Sequence, residues 1–174
     1  KPLALTIIEG RKLVDAVNRY DCVWQTGSWQ RSETRFRFAC ELVRNGYIGR
    51  VKSITVNVGG PPAWSCNAPG EPEPDWLDWN MWLGPAPWVP HNKLRHPYSF
   101  RWFYDYGNGL CNDWGVHLQD VILWAMKVEA PQAVCASGGK YVLDDISDTP
   151  DTLDVVYEYP GFTHTYSVRR CCDN

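Results

Sequence analysis

The sequence predicts an α+β domain, in which helices cover one face of an open and mostly antiparallel sheet. Leu153, Val155 and Tyr157 alternate with polar residues, Pro160-Gly161 makes a turn, and residues 162–168 return as a strand. Two strands joined by a short turn of this kind form an antiparallel hairpin. Amphipathic helical patterns precede and separate the strands, and helices on one face of an antiparallel sheet define the α+β class.

The first predicted helix and strand resemble the end of a separate domain. Residues 6–9 (Thr-Ile-Ile-Glu) form a capping box, so a helix is predicted to start there and to end near Tyr20-Asp21. Residues 22–27 follow as a short predicted strand, and a helix followed by a strand ends a βαβ arrangement. Since a parallel strand needs partners, we expect the chain to begin inside a domain. Residues 1–28 are therefore assigned to a first domain and 29–174 to a second.

The middle of the chain contains a helix, a strand and a long loop. The helix carries Phe36 and Cys40 on one face and is expected to stop at Asn45-Gly46, where the turn residues begin. Apolar residues alternate with polar ones from Ile54 to Val58, which predicts a strand with one buried face. Residues 59–99 hold most of the prolines and many tryptophans. A loop this long is usually functional, although a rigid surface excursion fits the same composition.

The stretch 107–120 carries the clearest chemical signal. A glycine-rich turn runs into a helical pattern in which Asp113 and His117 are four residues apart, so a continuous helix places them on one face. Asp120 can then approach the histidine from the other side. A carboxylate near an imidazole orients a general base. Alternatively, Asp113 or Asn112 caps the helix, or His117 is a satisfied buried histidine. A metal site built from Asp113, His117 and Asp120 is disfavoured, because such sites draw ligands from separate elements.

Beyond this helix, a strand is expected from Pro131 through Ala136, followed by an acidic segment at residues 144–151. This segment lacks the glycine and the terminal glutamate of a known calcium loop, so we expect a solvated turn.

Composition narrows the function classes. The 174 residues carry a net charge of −3 without a basic stripe, which disfavours nucleic acid and membrane surfaces as partners. No apolar run approaches the length of a membrane span. The seven cysteines show no C-x-x-C spacing, which favours free thiols in a reducing compartment, and we expect a cytoplasmic location. The sequence starts at Lys1 and not at an initiator methionine, so the lack of a visible signal peptide gives no information about export.

Several motifs occur together in one order: Lys1-Pro2-Leu3-Ala4, residues 25–32 (QTGSWQRS), residues 45–51 (NGYIGRV), residues 82–87 (WLGPAP), residues 113–117 (DWGVH) and Pro150-Asp151-Thr152. Their combination resembles the Gfo/Idh/MocA family of NAD(P)-dependent oxidoreductases. The resemblance covers nearly the whole chain and implies the last helix and strand of a Rossmann domain, followed by most of a C-terminal α/β domain that is truncated at its end.

The resemblance implies roles for particular residues. Lys1 matches the lysine of the family's E-K-P motif, whose glutamate is missing here, and would polarise the reacting oxygen. His117 would take the hydroxyl proton, and Asp113 would bind the sugar or orient His117. Contacts to the cofactor, NAD or NADP, are implied for Lys1, Pro2, Arg31 and Trp82. Contacts to the substrate are implied for Lys1, Asp113, His117 and Trp82.

Three functions remain open at this point. The first is a sugar or polyol dehydrogenase, whose subunits are expected to pair through the sheet, as they commonly do in the family. The second is an NAD-dependent glycoside hydrolase that uses a transient oxidation of the sugar ring. The third is a non-catalytic binding or oligomerisation module. No G-x-G-x-x-G occurs in the sequence, so most of the cofactor site is absent and the chain alone is expected to be inactive.

Overall fold

The computed structural model describes residues 3–59 and 69–170. Its helices are α1 (Ile7–Tyr20), α2 (Thr34–Arg44), α3 (Trp79–Leu83), α4 (Gly109–Asp113) and α5 (Gly115–Met126). Its strands are β1 (Ser53–Gly59), β2 (Ala133–Gly139), β3 (Thr152–Tyr159) and β4 (Phe162–Arg169). Short 3₁₀ turns lie at Trp29–Ser32, Lys93–Arg95 and Ser99–Trp102. Across the described ranges, no helix combines the length and the apolar character needed to cross a membrane.

The four strands form one mixed sheet in the order β1-β4-β3-β2. The predicted hairpin is confirmed: β3 and β4 are antiparallel, with Tyr159 opposite Phe162 and Gly161 at φ +88° in the turn. β2 pairs with β3 in the antiparallel sense, whereas β1 runs parallel to β4. The α+β class is therefore confirmed, with one parallel pairing that the local pattern did not predict.

Helices α4 and α5 pack on one face of the sheet. Leu110 lies in a buried cluster with Val58, Val155, Tyr166 and Val168. Ile122 of α5 forms a second cluster with Tyr159 and Phe162. The opposite face carries exposed or half-exposed side chains, including Thr55 and Thr165, whose hydroxyls lie 3.3 Å apart. The core therefore lies between the sheet and the two helices that carry Asp113 and His117.

Helix α1 begins as its capping box predicts. The hydroxyl of Thr6 accepts from the Glu9 N–H, and the Glu9 carboxylate accepts from the Thr6 N–H. The helix ends at Asp21, which has a left-handed backbone (φ 49°). Residues 22–27, predicted as a short strand, pair with no strand of the described sheet. The expected partners of this strand belong to a preceding unit that these residues do not include, so the strand stays a prediction.

The acidic segment 144–151 is solvated only in part, because Asp144, Ile146 and Asp148 are exposed whereas other side chains are enclosed by the loop. Asp151 is 1% exposed, and its carboxylate accepts N–H bonds from Tyr141, Val142 and Leu143. Burial on its own raises the pKa of Asp151, but these bonds outweigh it and the net shift is downward. The Asp145 side chain, 1% exposed, pairs with Lys140 at 2.9 Å. The carboxylates thus organise the loop from within.

Four of the seven cysteines lie in the described residues and are free thiols, as predicted: Cys22, Cys40, Cys111 and Cys135. Cys66, Cys171 and Cys172 lie outside those residues.

Candidate functional site

The stretch 107–120 forms two helices, so the expectation of one continuous helix is wrong. Asp113 is the last residue of α4 and His117 the third of α5, with Trp114 between the two helices. The Leu110 carbonyl accepts the Trp114 N–H at 3.3 Å and the Tyr166 hydroxyl at 2.8 Å. This shared acceptor ties the end of α4 to β4. Burial raises the pKa of Tyr166, so its hydroxyl keeps the proton that it donates.

Asp113 does not occupy the N-cap position of α4 or α5. The residues at the N-cap positions of α4 and α5 are Asn108 and Trp114, and neither uses its side chain as a cap. Asp113 instead lies 3.0 Å from Arg101, measured from Oδ2 to Nε, with the two side chains 8% and 16% exposed. A buried carboxylate with a cationic partner is a fixed charge at the junction of the two helices.

Arg101 is a site residue that the sequence did not reveal. Its guanidinium carbon lies 3.8 Å from the centroid of the Tyr98 ring, which supports the cation from one side. A Cβ added at Gly107 would come within 2.7 Å of the Arg101 Cα, so this glycine allows the two backbones to meet. No periodicity connects an arginine in the aromatic run before α4 with a carboxylate twelve residues later. Only the glycine at 107 hinted at such a close approach.

His117 lies half-buried in the first turn of α5. The centroid of its ring is 6.3 Å from that of Trp29, and the ring planes are inclined at 69°. The side chain of His117 is therefore partly exposed, and an aromatic side chain borders one side of its ring.

His164 on β4 is a buried histidine whose two ring nitrogens both have hydrogen-bond partners. His164 is fully buried, its Nε2 lies 2.9 Å from Gln119 Nε2, and its Nδ1 lies 3.4 Å from the Ile54 carbonyl. Because the amide nitrogen of Gln119 can only donate, Nε2 accepts and Nδ1 carries the proton. Burial lowers the pKa of His164, which keeps the ring neutral.

Asp120 bonds Arg31, one of the residues predicted to contact the cofactor. Nε and Nη2 of Arg31 donate to the two carboxylate oxygens of Asp120 at 2.7 and 2.8 Å. The described residues hold no group of three or more histidine, cysteine, aspartate or glutamate side chains arranged for a metal.

Trp82 lies in a cluster of aromatic and imidazole rings. Its ring stacks on buried Trp79 with centroids 4.7 Å apart, and it contacts Tyr106, which directly precedes Gly107. Beside the two tryptophans, Nε2 of His91 and Nε2 of His96 are 2.9 Å apart. Burial, and then the neighbouring His91, lowers the pKa of His96. Residues 76–96 of the proline-rich loop therefore contain an aromatic cluster next to the turn that starts α4.

Lys1 and Pro2 lie outside the described residues, but the segment that follows them does not. Leu3, Ala4 and Leu5 line a cleft together with residues 105–108, which form the turn before α4. The start of the chain therefore comes close to the same turn as Trp82. The predicted residues divide into two groups along this region: Asp113 and His117 flank the helix break, whereas Trp82 and the N-terminal segment border the turn before it.

The chain is an α/β domain in which α4 and α5 cover one face of a four-stranded sheet. Residues 34–158 match the model of the oxidoreductase family C-terminal alpha/beta domain, GFO_IDH_MocA_C2. The match covers more than half of the chain, and the protein belongs to the Gfo/Idh/MocA oxidoreductase family. A comparison with curated proteins gives no match.

Solved structures share the fold. GenD2 from gentamicin A biosynthesis, in complex with NAD, superposes with a TM-score of 0.66 at 22% identity over 100% of this chain and 41% of its own. The WlbA dehydrogenase from Chromobacterium violaceum, in complex with NADH and UDP-GlcNAcA, gives 0.64 at 16% identity, covering 97% and 40%. A protein provisionally assigned as a myo-inositol dehydrogenase from Sinorhizobium meliloti 1021 gives 0.64 at 17%, covering 99% and 42%. The chain thus spans about two fifths of each of these structures.

Proposed function

We propose that the chain contributes the substrate-binding domain of an NAD(P)-dependent oxidoreductase that oxidises a hydroxyl group of a sugar or polyol. The observation that supports this most strongly is the helix junction. Asp113 is buried and paired with Arg101, and the half-buried imidazole of His117 follows four residues later. Alcohol oxidation needs one proton acceptor close to the reacting hydroxyl, and histidine is the side chain that most often serves in this way.

In this proposal His117 accepts the hydroxyl proton through a ring nitrogen. Asp113, immobilised by Arg101, either accepts a bond from a neighbouring substrate hydroxyl or orients His117. Lys1 polarises the reacting oxygen, and Trp82 forms an apolar wall for substrate and cofactor. The nicotinamide, when bound, accepts the hydride.

In this proposal the chain holds only a part of the cofactor. We propose that Lys1, Pro2, Arg31 and Trp82 contact it, and the cleft lined by Leu3–Leu5 and residues 105–108 supports an approach beside α4. Arg31 would have to use the part of its guanidinium that does not bond Asp120. The sequence contains no G-x-G-x-x-G loop for the pyrophosphate.

We also keep the proposed division of the chain, with residues 1–28 in a dinucleotide-binding domain and 29–174 in the substrate domain. The absence of buried residues in α1 supports it, because this helix adds nothing to the core that α4 and α5 form with the sheet.

Replacement of His117 by alanine, in the enzyme that carries this chain, tests the proposal. We expect turnover to fall by roughly 10²–10⁴, which is the usual contribution of a positioned general base. Asp113→Asn should cost less in turnover and should raise the apparent substrate constant if Asp113 binds a hydroxyl. Glu41→Gln, which alters an exposed carboxylate on α2, is the matched control. Unchanged turnover of a folded His117→Ala enzyme removes His117 from the mechanism.

Association through the sheet is a further part of the proposal. The face of the sheet away from α5 exposes a row of short polar side chains, including Thr55 and Thr165, and a second copy could cover it. We expect sedimentation velocity to show a dimer or larger species that dissociates when Thr165 is replaced by lysine, because a charge at the centre of a contact is costly to bury. A wild-type chain that stays monomeric at high concentration contradicts this expectation.

A further inference from the structure

One stripe of α5 is covered by the short turn at Trp29–Ser32. His117, Asp120 and Trp124 lie at positions i, i+3 and i+7, which places them on the same side of the helix. Trp29 contacts His117 with ring centroids 6.3 Å apart, Arg31 bonds Asp120, and the Arg31 guanidinium lies 5.6 Å from the Trp124 ring. The turn is therefore attached to α5 at three successive positions of one stripe.

Trp29 is not held in place by burial. Its side chain is 58% exposed, and its other ring contact is Phe36 of α2, at 6.4 Å with the planes nearly perpendicular. Because burial restrains it little, the position of its ring depends on its few contacts and on the backbone that carries it. Something other than the core must therefore hold Trp29 beside His117.

The contact between Arg31 and Asp120 supplies this constraint. It uses both carboxylate oxygens and the Nε/Nη2 edge of the guanidinium, with distances of 2.7 and 2.8 Å. A bidentate pair fixes direction as well as distance, which a single ion contact does not. Because Arg31 is only two residues from Trp29, this pair fixes the backbone that carries the tryptophan.

We infer that Arg31 and Asp120 form a clamp that holds Trp29 against His117, so that Trp29 is a positioning residue for the histidine. The inference rests on the proposed function for the role of His117, but the geometry of the clamp does not depend on it. The clamp limits the orientations of the imidazole and borders one side of its ring with an apolar surface. Arg31 would thus act on the site through Asp120 and Trp29.

The test is proton NMR of the 174-residue chain, with the His117 Hε1 resonance as the reporter. The wild type should show a nuclear Overhauser contact between the rings of Trp29 and His117, which requires no variant. Trp29→Leu should move the His117 resonance, because the ring current of the indole is lost. Arg31→Met and Asp120→Asn should move it in the same direction, since each releases the tryptophan. Arg37→Met is the matched control, because Arg37 pairs with Glu41 on the exposed surface of α2.

The clamp is refuted if the rings show no contact in the wild type. It is also refuted if Arg31→Met shifts the His117 resonance no more than Arg37→Met does, while the amide spectra show that both variants are folded. Measurements of turnover separate refutation of the clamp from failure of the proposed function. If His117 is not the base, Trp29→Leu leaves kcat unchanged in the enzyme even though the resonance shifts are as expected.

Discussion

Replacing Arg101 by methionine should expose how much the fold depends on the ion pair at the helix junction. At the observed separation of 3.0 Å, an effective dielectric constant of about 20 gives an attraction of about 5.5 kcal/mol before desolvation is subtracted. Removing one partner of a buried pair leaves a buried charge uncompensated and costs about 3–5 kcal/mol. Arg101 retains 16% exposure, so water can partly replace it, and we expect a loss of about 3 kcal/mol in the free energy of unfolding.

A double-mutant cycle with urea denaturation measures this effect on the 174-residue chain. Arg101→Met, Asp113→Asn and the double variant should give a coupling energy of about 2 kcal/mol, because the double variant leaves no buried charge behind. The matched control is the cycle on Arg169 and Asp154, which also form an ion pair but are 39% and 52% exposed. That pair should couple by less than about 1 kcal/mol. A coupling at Arg101 and Asp113 no larger than in the control refutes the reasoning.

Two other perturbations test the surroundings of the site. The pKa of His164 is lowered in the folded state, so the unfolded chain takes up a proton first as the pH falls below about 6.5. Stability should be lost from that pH downwards until the folded-state pKa is reached, and His164→Gln should flatten this part of the urea-midpoint profile against pH. Gly109→Ala should lower the melting temperature, because Gly109 has φ +66° and an added Cβ would lie 2.8 Å from Cβ of Thr149. The expected cost exceeds about 1 kcal/mol, whereas Gly27→Ala, which meets nothing within 4 Å, should be close to neutral; equal melting temperatures would contradict the packing argument.

The elements that the sequence predicts correctly are determined by neighbouring residues. The capping box at Thr6, the end of α2 before Asn45-Gly46 and the turn at Pro160-Gly161 each depend on fewer than about ten residues, so the pattern contains the whole cause. The alternation in β1 likewise predicts which of its side chains face the core.

The errors arise where distant residues decide the structure. The break after Asp113 coincides with a bond from Tyr166, which is 56 positions away from its acceptor Leu110. The partner of Asp113, Arg101, stands in an aromatic run with no periodic relation to it. The polar composition of the acidic segment predicts exposure to solvent, but backbone N–H groups of the preceding loop enclose Asp151.

Arg31 illustrates a different limit. Its place in a motif suggested a cofactor contact, and that remains a prediction. What no sequence pattern indicated is the bidentate bond to Asp120, 89 positions along the chain.

His91 and His96 join two parts of the aromatic loop through one contact between their rings. His91 Nδ1 lies 3.3 Å from the Glu71 carbonyl, and if its proton is directed there, Nε2 of His91 can only accept, and His96 must donate. One hydrogen therefore lies between the two Nε2 atoms. If both of these nitrogens carried a hydrogen, neither could accept a bond from the other. Burial, and then the neighbouring His91, lowers the pKa of His96, so the His96 ring resists protonation and the bond between the rings is kept. Trp82, whose ring centroid lies 5.8 Å from that of His96, therefore packs against a side chain that a hydrogen bond holds in one orientation.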